Sequence, residues 1–118
     1  MDVKTILLLV ADAARRAALG DALRLESHSV LIAETPDEAL SAASANARPP
    51  DLIVTDQRLD VGAGQSLATT VAQRRPEARV LYLRGLGAFS APLPTYFLDR
   101  EASPSSVARV ATRLLSLA

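Results

Sequence analysis

The sequence contains no cysteine and no tryptophan, and its single histidine is His28. Without cysteine the chain forms no disulfide, no thiolate nucleophile and no cysteine-ligated zinc or iron–sulfur site. A catalytic triad or a multi-histidine metal centre would have to be built around His28 alone, which excludes both kinds of site. His28 stands between two serines just before a short apolar run. We therefore expect it to be a structural turn residue.

An excess of charge and a long apolar run are also missing. The 13 acidic and 13 basic residues give a formal net charge of zero, and the arginines are spread from Arg15 to Arg113. This distribution argues against a face that binds nucleic acid or an anionic membrane. The longest apolar run, residues 6–11, is far shorter than a membrane span. The composition favours a cytoplasmic protein that forms one domain over residues 1–118.

Five short apolar runs predict β-strands. The first, third and fourth are rich in valine, isoleucine and leucine on both faces, a pattern typical of buried parallel strands. The other two runs are weaker. In chain order the predicted strands cover residues 5–11, 29–33, 51–55, 79–83 and 95–98.

Predicted helices separate most of these strands. The first covers residues 13–26, and the second begins at Thr35 with a capping-box pattern and runs to about residue 47. The third covers residues 65–75 and ends at Pro76, and the last begins at Ser103 and Pro104. Alternation of this kind predicts an α/β fold in which helices cover both faces of a parallel sheet.

The connection between the fourth and fifth strands is abnormal. Residues 84–94 hold two glycines and two prolines and are too short and too broken for a normal helix. We expect at most one helical turn there. Three of the four aromatic residues, Phe89, Tyr96 and Phe97, gather in or after this segment. They either fill the gap left by a missing helix or mark an interface, and the first alternative is slightly favoured.

Two carboxylates follow predicted strands, Asp12 after the first and Asp56 after the third. Ligands of open parallel α/β sheets bind beyond the carboxyl ends of the strands. If the strand order is 2-1-3-4-5, the first and third strands are neighbours and the two acids converge. The alternative is that each aspartate only caps a helix or starts a turn, as aspartate often does.

The whole chain resembles the receiver domain of bacterial two-component response regulators, through the segments ILLLVAD, DLIVTD with a loop ending in Gly64, RVLYL and TYFLDREASPSSV. The resemblance implies a flavodoxin-like, doubly wound, five-stranded parallel sheet in the order 2-1-3-4-5, and the broken segment 84–94 predicts that the fourth helix of this fold is reduced or absent. It also implies that Asp56 accepts a phosphoryl group from a kinase phosphohistidine. Asp12, Asp56 and the backbone carbonyl of Arg58 match the ligands of the family's magnesium ion, and Phe97 matches its switch aromatic.

Five positions depart from the family pattern, among them Glu101, which replaces the proline that usually follows the lysine. One of two adjacent acids after the first strand is replaced by Ala11, and the proline of the phosphoacceptor loop is replaced by Asp60. Arg84 stands at the usual serine or threonine position, and Arg100 stands at the usual lysine position. The chain's only lysine, Lys4, precedes the first strand. No lysine can therefore take the usual role at the site.

These departures lead to three expectations about the site. Arg84 is expected to pair with Asp56, because an arginine and a carboxylate form a charge-neutral pair without a metal. If Arg100 also points inward, the two arginines oppose a divalent cation, so magnesium binding is expected to be weak. If Arg100 turns outward instead, Asp99 or Glu101 is expected to engage it, and some metal affinity remains.

Three functions remain open. The favoured one is a phosphorelay receiver that accepts a phosphoryl group at Asp56 with impaired or absent switching, and that is no enzyme beyond this self-catalysed acceptance. The alternative is a pseudo-receiver that binds proteins independently of phosphorylation. A small-molecule binder of flavodoxin-like fold is less favoured, because no phosphate-cradling glycine loop follows the first strand. The expected partner is a histidine kinase or another signalling protein. Homodimerisation and further domains are left open.

Overall fold

The computed structural model describes residues 3–45, 48–84 and 92–117. Within them, strands and helices alternate as the hydrophobic pattern predicts. Their bounds are β1 (Thr5–Leu9), α1 (Ala13–Leu25), β2 (Ser29–Ala33), α2 (Pro36–Ala45), β3 (Leu52–Thr55), α3 (Gly62–Arg74), β4 (Arg79–Leu83), β5 (Thr95–Leu98) and α4 (Pro104–Leu115).

The five strands form one parallel sheet in the order β2-β1-β3-β4-β5, which confirms the predicted doubly wound topology. The register aligns Leu9 of β1 with Thr55 of β3, and Thr55 with Tyr82 of β4. The strands therefore end side by side. The residues that follow β1, β3 and β4 share one edge of the sheet, which is where the candidate site lies.

Two apolar layers cover the faces of the sheet. Alternate residues of β1 separate into them, with Leu7 and Leu9 on the face of α2 and α3, and Ile6 and Leu8 on the face of α1 and α4. Every residue of β1 and β3 is buried. This burial explains why these strands read as continuous apolar runs and not as alternating ones.

The capping patterns form largely as predicted. Thr35 Oγ1 accepts from the backbone N–H of Glu38 at 3.2 Å, while Glu38 Oε1 accepts from the N–H of Glu34 at 2.7 Å. Ser103 caps α4 by accepting from the N–H of Ser106, and Pro104 follows it. Both helices begin where the sequence places them, because these contacts are local.

The start of α3 was predicted wrongly. The helix begins at Gly62 and not at Gln65, and its N-cap, Val61, makes no side-chain capping bond. No capping residue marks this start in the sequence, and two glycines lie in its first turn, so local signals point to a later beginning. The strand predictions for residues 5–11 and 51–55 were also too long, since β1 ends at Leu9 and β3 begins at Leu52.

The abnormal connection between β4 and β5 falls mostly on residues 85–91, which lie outside the described residues, as does Phe89. The described residues of this connection, 84 and 92–94, are not helical. Four helices are present among the described residues, and the last of them is therefore α4. In the described part of the chain, no helix has the length and apolar character needed to cross a membrane.

Candidate functional site

Asp56 follows the middle strand of the sheet and is half-buried. Its Oδ1 accepts a hydrogen bond of 3.0 Å from Nε2 of Gln57, whose backbone N–H donates to Thr55 Oγ1 at 2.9 Å. The turn after β3 thus orients the carboxylate through a neutral amide. Within the described residues, no cation forms an ion pair with Asp56. Gln57 was not predicted as a site residue, and the only sequence signal for this role is its position directly after Asp56.

Asp12 is exposed and caps α1, where its Oδ2 accepts from the backbone N–H of Arg15 at 2.8 Å. This is the capping role that the sequence left as the alternative to a metal ligand. The cap also aligns a carboxylate with the positive end of the helix dipole, which stabilises the carboxylate. One oxygen of Asp12 is therefore already engaged by the helix.

The loop after Asp56 is braced by an ion pair between Arg58 and Asp60. Arg58 Nε and Nη2 donate to the two carboxylate oxygens of Asp60 at 2.9 and 2.7 Å. The bond from Arg58 holds the pKa of the Asp60 carboxyl below its usual range and raises the pKa of Arg58. The family resemblance places a proline at the position of Asp60. In this chain the bidentate contact between Arg58 and Asp60 restrains the loop in place of the proline ring.

Gly64 lies under the same loop, against the backbone carbonyl of Arg58. A Cβ atom at Gly64 would lie 2.1 Å from the Arg58 carbonyl oxygen and 3.1 Å from Leu59 Cα. Both neighbours are backbone atoms, so neither can move aside cheaply. Gly64 is therefore required by close approach, and it fixes the position of the Arg58 carbonyl that the family resemblance assigns as a metal ligand.

The sequence predicts an ion pair between Arg84 and Asp56. This prediction is wrong, because these two described side chains form no ion pair. Arg84 is exposed and directly follows β4, and its charge affects the pKa of Tyr82, two residues earlier in the chain. Burial raises the pKa of Tyr82 to about 12, and the nearby Arg84 partly opposes this rise. The Tyr82 ring also contacts that of Phe97, with ring centroids 6.0 Å apart. Tyr82 was missed because an aromatic residue in a buried strand reads simply as core.

Arg100 is exposed, and within the described part of the chain its guanidinium makes no ion pair. The expectation that Asp99 or Glu101 engages it was wrong, because neither of these described carboxylates forms an ion pair with it. Asp99 Oδ1 instead accepts from the backbone N–H of Glu101 at 2.7 Å. The backbone carbonyl of Arg100 instead accepts from Nη2 of Arg15 at 2.9 Å. The residue at the usual lysine position thus contributes its carbonyl to a contact with α1.

Magnesium prefers several hard oxygen ligands in near-octahedral geometry. Among the described residues, no group of three or more acidic, histidine or cysteine side chains is placed to hold a metal ion. The two candidate carboxylates each already accept a hydrogen bond from the chain, Asp12 from its helix and Asp56 from Gln57. This set of side chains does not fit a tightly held divalent cation.

His28 has the structural role expected of it, because its Nε2 lies 2.8 Å from Thr112 Oγ1 and links the start of β2 to α4. Burial lowers the pKa of His28. A histidine whose folded-state pKa lies below the unfolded value destabilises the fold when it protonates. The free energy of unfolding should therefore rise as the pH increases toward the unfolded pKa of about 6.5 and level off above it.

We expect His28→Gln to remove this part of the pH dependence. Urea unfolding of both proteins at pH values below and above 6.5 measures it. An equal pH dependence in the two proteins would assign the effect to other groups.

Comparisons with known proteins agree with this architecture. No family model matches the chain. The chain is 35% identical over 81 residues to the photosynthetic apparatus regulatory protein RegA of Rhodovulum sulfidophilum, covering 66% of this chain and 44% of that protein. It is 33% identical over 84 residues to the acid tolerance regulatory protein ActR of Rhizobium meliloti, covering 71% and 42%. The chain thus spans less than half the length of these curated relatives.

Solved structures match over nearly the full length. The non-phosphorylated receiver domain of HemR from Leptospira biflexa is 25% identical, covers 98% of this chain and 96% of that one, and superposes with a TM-score of 0.74. The receiver domain of the hybrid histidine kinase CckA is 24% identical, covers 95% and 99%, and gives a TM-score of 0.75. The fold, with Asp56 at the end of its middle strand, is the one these domains share.

Proposed function

Because its fold and its sequence likeness identify the chain as a response regulator receiver domain, we propose that Asp56 accepts a phosphoryl group in a two-component phosphorelay. The observation that carries this proposal is a half-buried carboxylate at the end of β3 that forms no ion pair with a cationic side chain of the described residues. Receiver domains interact with histidine kinases and other signalling proteins. The proposed donor is the phosphohistidine of such a kinase, in the cytoplasm.

The proposed transfer is a displacement at phosphorus. A carboxylate oxygen of Asp56 forms a bond to phosphorus while the phosphorus–nitrogen bond of the donor histidine breaks. The electron pair of that bond returns to the imidazole, which takes a proton from solvent. The transition state is loose, so the chain contributes mainly by positioning and by electrostatics. Gln57 fixes the direction of the carboxylate, and the Arg58–Asp60 pair holds the loop beside it.

Switching after phosphorylation is proposed to be impaired. Arg84 stands where other members of the family have a hydroxyl residue that bonds the phosphoryl group. The charge of Arg84 instead opposes the rise in the pKa of Tyr82. Phe97, the proposed switch aromatic, packs against the same Tyr82 ring. Arg100 keeps a guanidinium without an ion pair in the described part of the chain, and we assign it the role of the missing lysine. Any magnesium held by Asp12, Asp56 and the Arg58 carbonyl is proposed to bind weakly.

The proposal is tested with acetyl phosphate and magnesium, comparing the wild-type protein with Asp56→Asn by intact mass spectrometry. We expect the wild type to gain the mass of one phosphoryl group and the variant to gain none. Asp21→Asn is the matched control, because it makes the same substitution at an exposed carboxylate on α1 that the proposal does not use. No adduct in the wild type, or an equal adduct in Asp56→Asn, would contradict the proposal.

The alternative is a pseudo-receiver whose interactions do not depend on phosphorylation. The observation that favours it is the donor set, since Asp12 serves as a helix cap and the described residues place no three-acid cluster at the site. This function predicts no adduct in the experiment above. It also predicts that Asp56→Asn leaves binding of a kinase or other signalling partner unchanged.

A further inference from the structure

Two arginines at the start of α1 reach the loops that border the site. Nη1 of Arg16 donates to the carbonyl oxygens of Val10 and Ala11, at 2.8 and 3.0 Å. A single guanidinium nitrogen therefore lies between two successive carbonyls at the end of β1. It holds the stretch of backbone that leads directly to Asp12.

Arg15 makes a second connection between loops. Its Nη2 donates to the carbonyl oxygen of Arg100 at 2.9 Å, joining residues 85 positions apart. Its backbone N–H donates to Asp12 Oδ2 at 2.8 Å. Arg15 thus ties the loop after β1, which carries one candidate acid, to the loop after β5.

The placement of these arginines is electrostatically unfavourable for the helix itself. The first turn of a helix favours acidic residues, because the helix dipole places positive charge there. The first turn of α1 contains no acidic residue. Within the described residues, neither Arg15 nor Arg16 forms an ion pair with a carboxylate. The two guanidinium groups instead donate to the carbonyl oxygens of Val10, Ala11 and Arg100. These contacts indicate a role in holding the loops at the site and not in stabilising the helix.

We propose that the guanidinium groups of Arg15 and Arg16 take the organising role that a divalent cation has in related sites. They hold the loops after β1 and β5 by hydrogen bonds to carbonyl oxygens, and they place positive charge at the edge of the sheet that carries Asp12 and Asp56. The site is thereby arranged for an anionic phosphoryl group in the absence of a metal, and a divalent cation is repelled. This inference rests on the proposed function of Asp56 as the acceptor.

The donor set supports this assignment independently of charge. Magnesium requires oxygen ligands that are free to converge on one point. One oxygen of the candidate ligand Asp12 is bonded to the Arg15 backbone, and the backbone that leads to Asp12 is held by the bonds from Arg16 to the Val10 and Ala11 carbonyls. A magnesium ion would therefore have to compete with hydrogen bonds that are already formed. Removing the charge of either arginine side chain should weaken the repulsion of a divalent cation, whereas the backbone bond to Asp12 remains.

The test measures magnesium affinity by amide chemical shifts, titrating magnesium chloride into the labelled protein at constant ionic strength. We expect Arg16→Gln or Arg15→Gln to bind magnesium about tenfold more tightly than the wild type, as loss of one positive charge facing a divalent ion through a mostly aqueous path implies. Arg24→Gln is the matched control. It removes the same charge from the other end of α1, about 12 Å farther along the helix axis, where salt screens the effect.

A gain in magnesium affinity in either Arg15→Gln or Arg16→Gln, beyond that of Arg24→Gln, supports the inference. Wild-type binding at submillimolar magnesium, or no gain in both variants, overturns it. Should Arg16→Gln fail to fold, Arg15→Gln alone decides, because its side chain bonds only one carbonyl at an exposed position. The measurement uses no phosphoryl donor, so a failure of Asp56 to accept a phosphoryl group would leave its outcome readable.

Discussion

Asp51→Ala is expected to lower the free energy of unfolding by about 3 kcal/mol. The Asp51 side chain is only 7% exposed and lies at the start of β3, at the end of the sheet opposite the candidate site. Its Oδ1 pairs with Arg75 Nε at 2.6 Å, and its Oδ2 accepts from the backbone N–H of Thr5 at 2.8 Å. Alanine would leave a partly buried guanidinium and a buried N–H without these partners. Arg75 is 30% exposed, so water offsets part of the loss.

Two further variants separate the causes of this loss. Asp51→Asn keeps an oxygen acceptor but not the charge, and it should cost about half as much. Asp21→Ala is the surface control, because Asp21 is 79% exposed and lies 3.8 Å from Arg24. Its effect should be within about 0.5 kcal/mol. Urea unfolding measures all three variants, and a loss in Asp51→Ala no larger than that in Asp21→Ala would refute a stabilising role for the buried pair.

Gly64→Ala is expected to destabilise the protein by about 2 to 3 kcal/mol, although alanine is normally the better helix residue. The added methyl group would overlap the Arg58 carbonyl oxygen and press on Leu59 Cα. Because these are backbone atoms, the loop after β3 must move to make room. We therefore also expect the amide shifts of the loop that carries Asp56 to change.

Gly20→Ala provides a control of opposite sign. Gly20 lies inside α1, and a Cβ there would meet Arg24, Ile32 and Leu8 side-chain atoms at 3.4 to 3.8 Å, which are ordinary contacts. Alanine should therefore stabilise the protein by up to about 1 kcal/mol. If urea unfolding gave both substitutions the same sign, the close approach at Gly64 would not be the deciding factor.

Local signals predicted most of the fold. The strands 29–33, 79–83 and 95–98 match the structure residue for residue, because their ends coincide with changes in hydrophobic pattern. Thr35 and Ser103 mark helix starts because a capping side chain contacts its own backbone only three residues on. The start of α3 at Gly62 could not be predicted in this way, because no side chain caps it. Gly64 in its first turn is required by the close approach of the Arg58 carbonyl, which a local helix signal does not show.

The position of Asp56 in the fold was predictable from the sequence, whereas most contacts of the residues around it were not. Asp56 was placed correctly because the carboxyl ends of parallel strands share one edge of the sheet. The predicted Arg84–Asp56 ion pair does not form between these described residues, and the charge of Arg84 instead opposes the rise in the pKa of Tyr82. The contact between Arg15 and Arg100 spans 85 positions in the chain, and no local pattern encodes such a distance.

The sequence by itself determined that this protein has no cysteine chemistry, no active-site lysine, and an alternating α/β chain with an aspartate after its third strand. These follow from composition, from short apolar runs and from the helical periodicity of the segments between them, which are local properties. Only the tertiary structure decided which charges meet. It directs Arg15 and Arg16 to carbonyl oxygens around the site and pairs Arg58 with Asp60. The physical reason is that a long arginine side chain can reach several neighbouring groups. Its partners therefore depend on which groups lie near it in the folded chain, and a local sequence pattern does not show this.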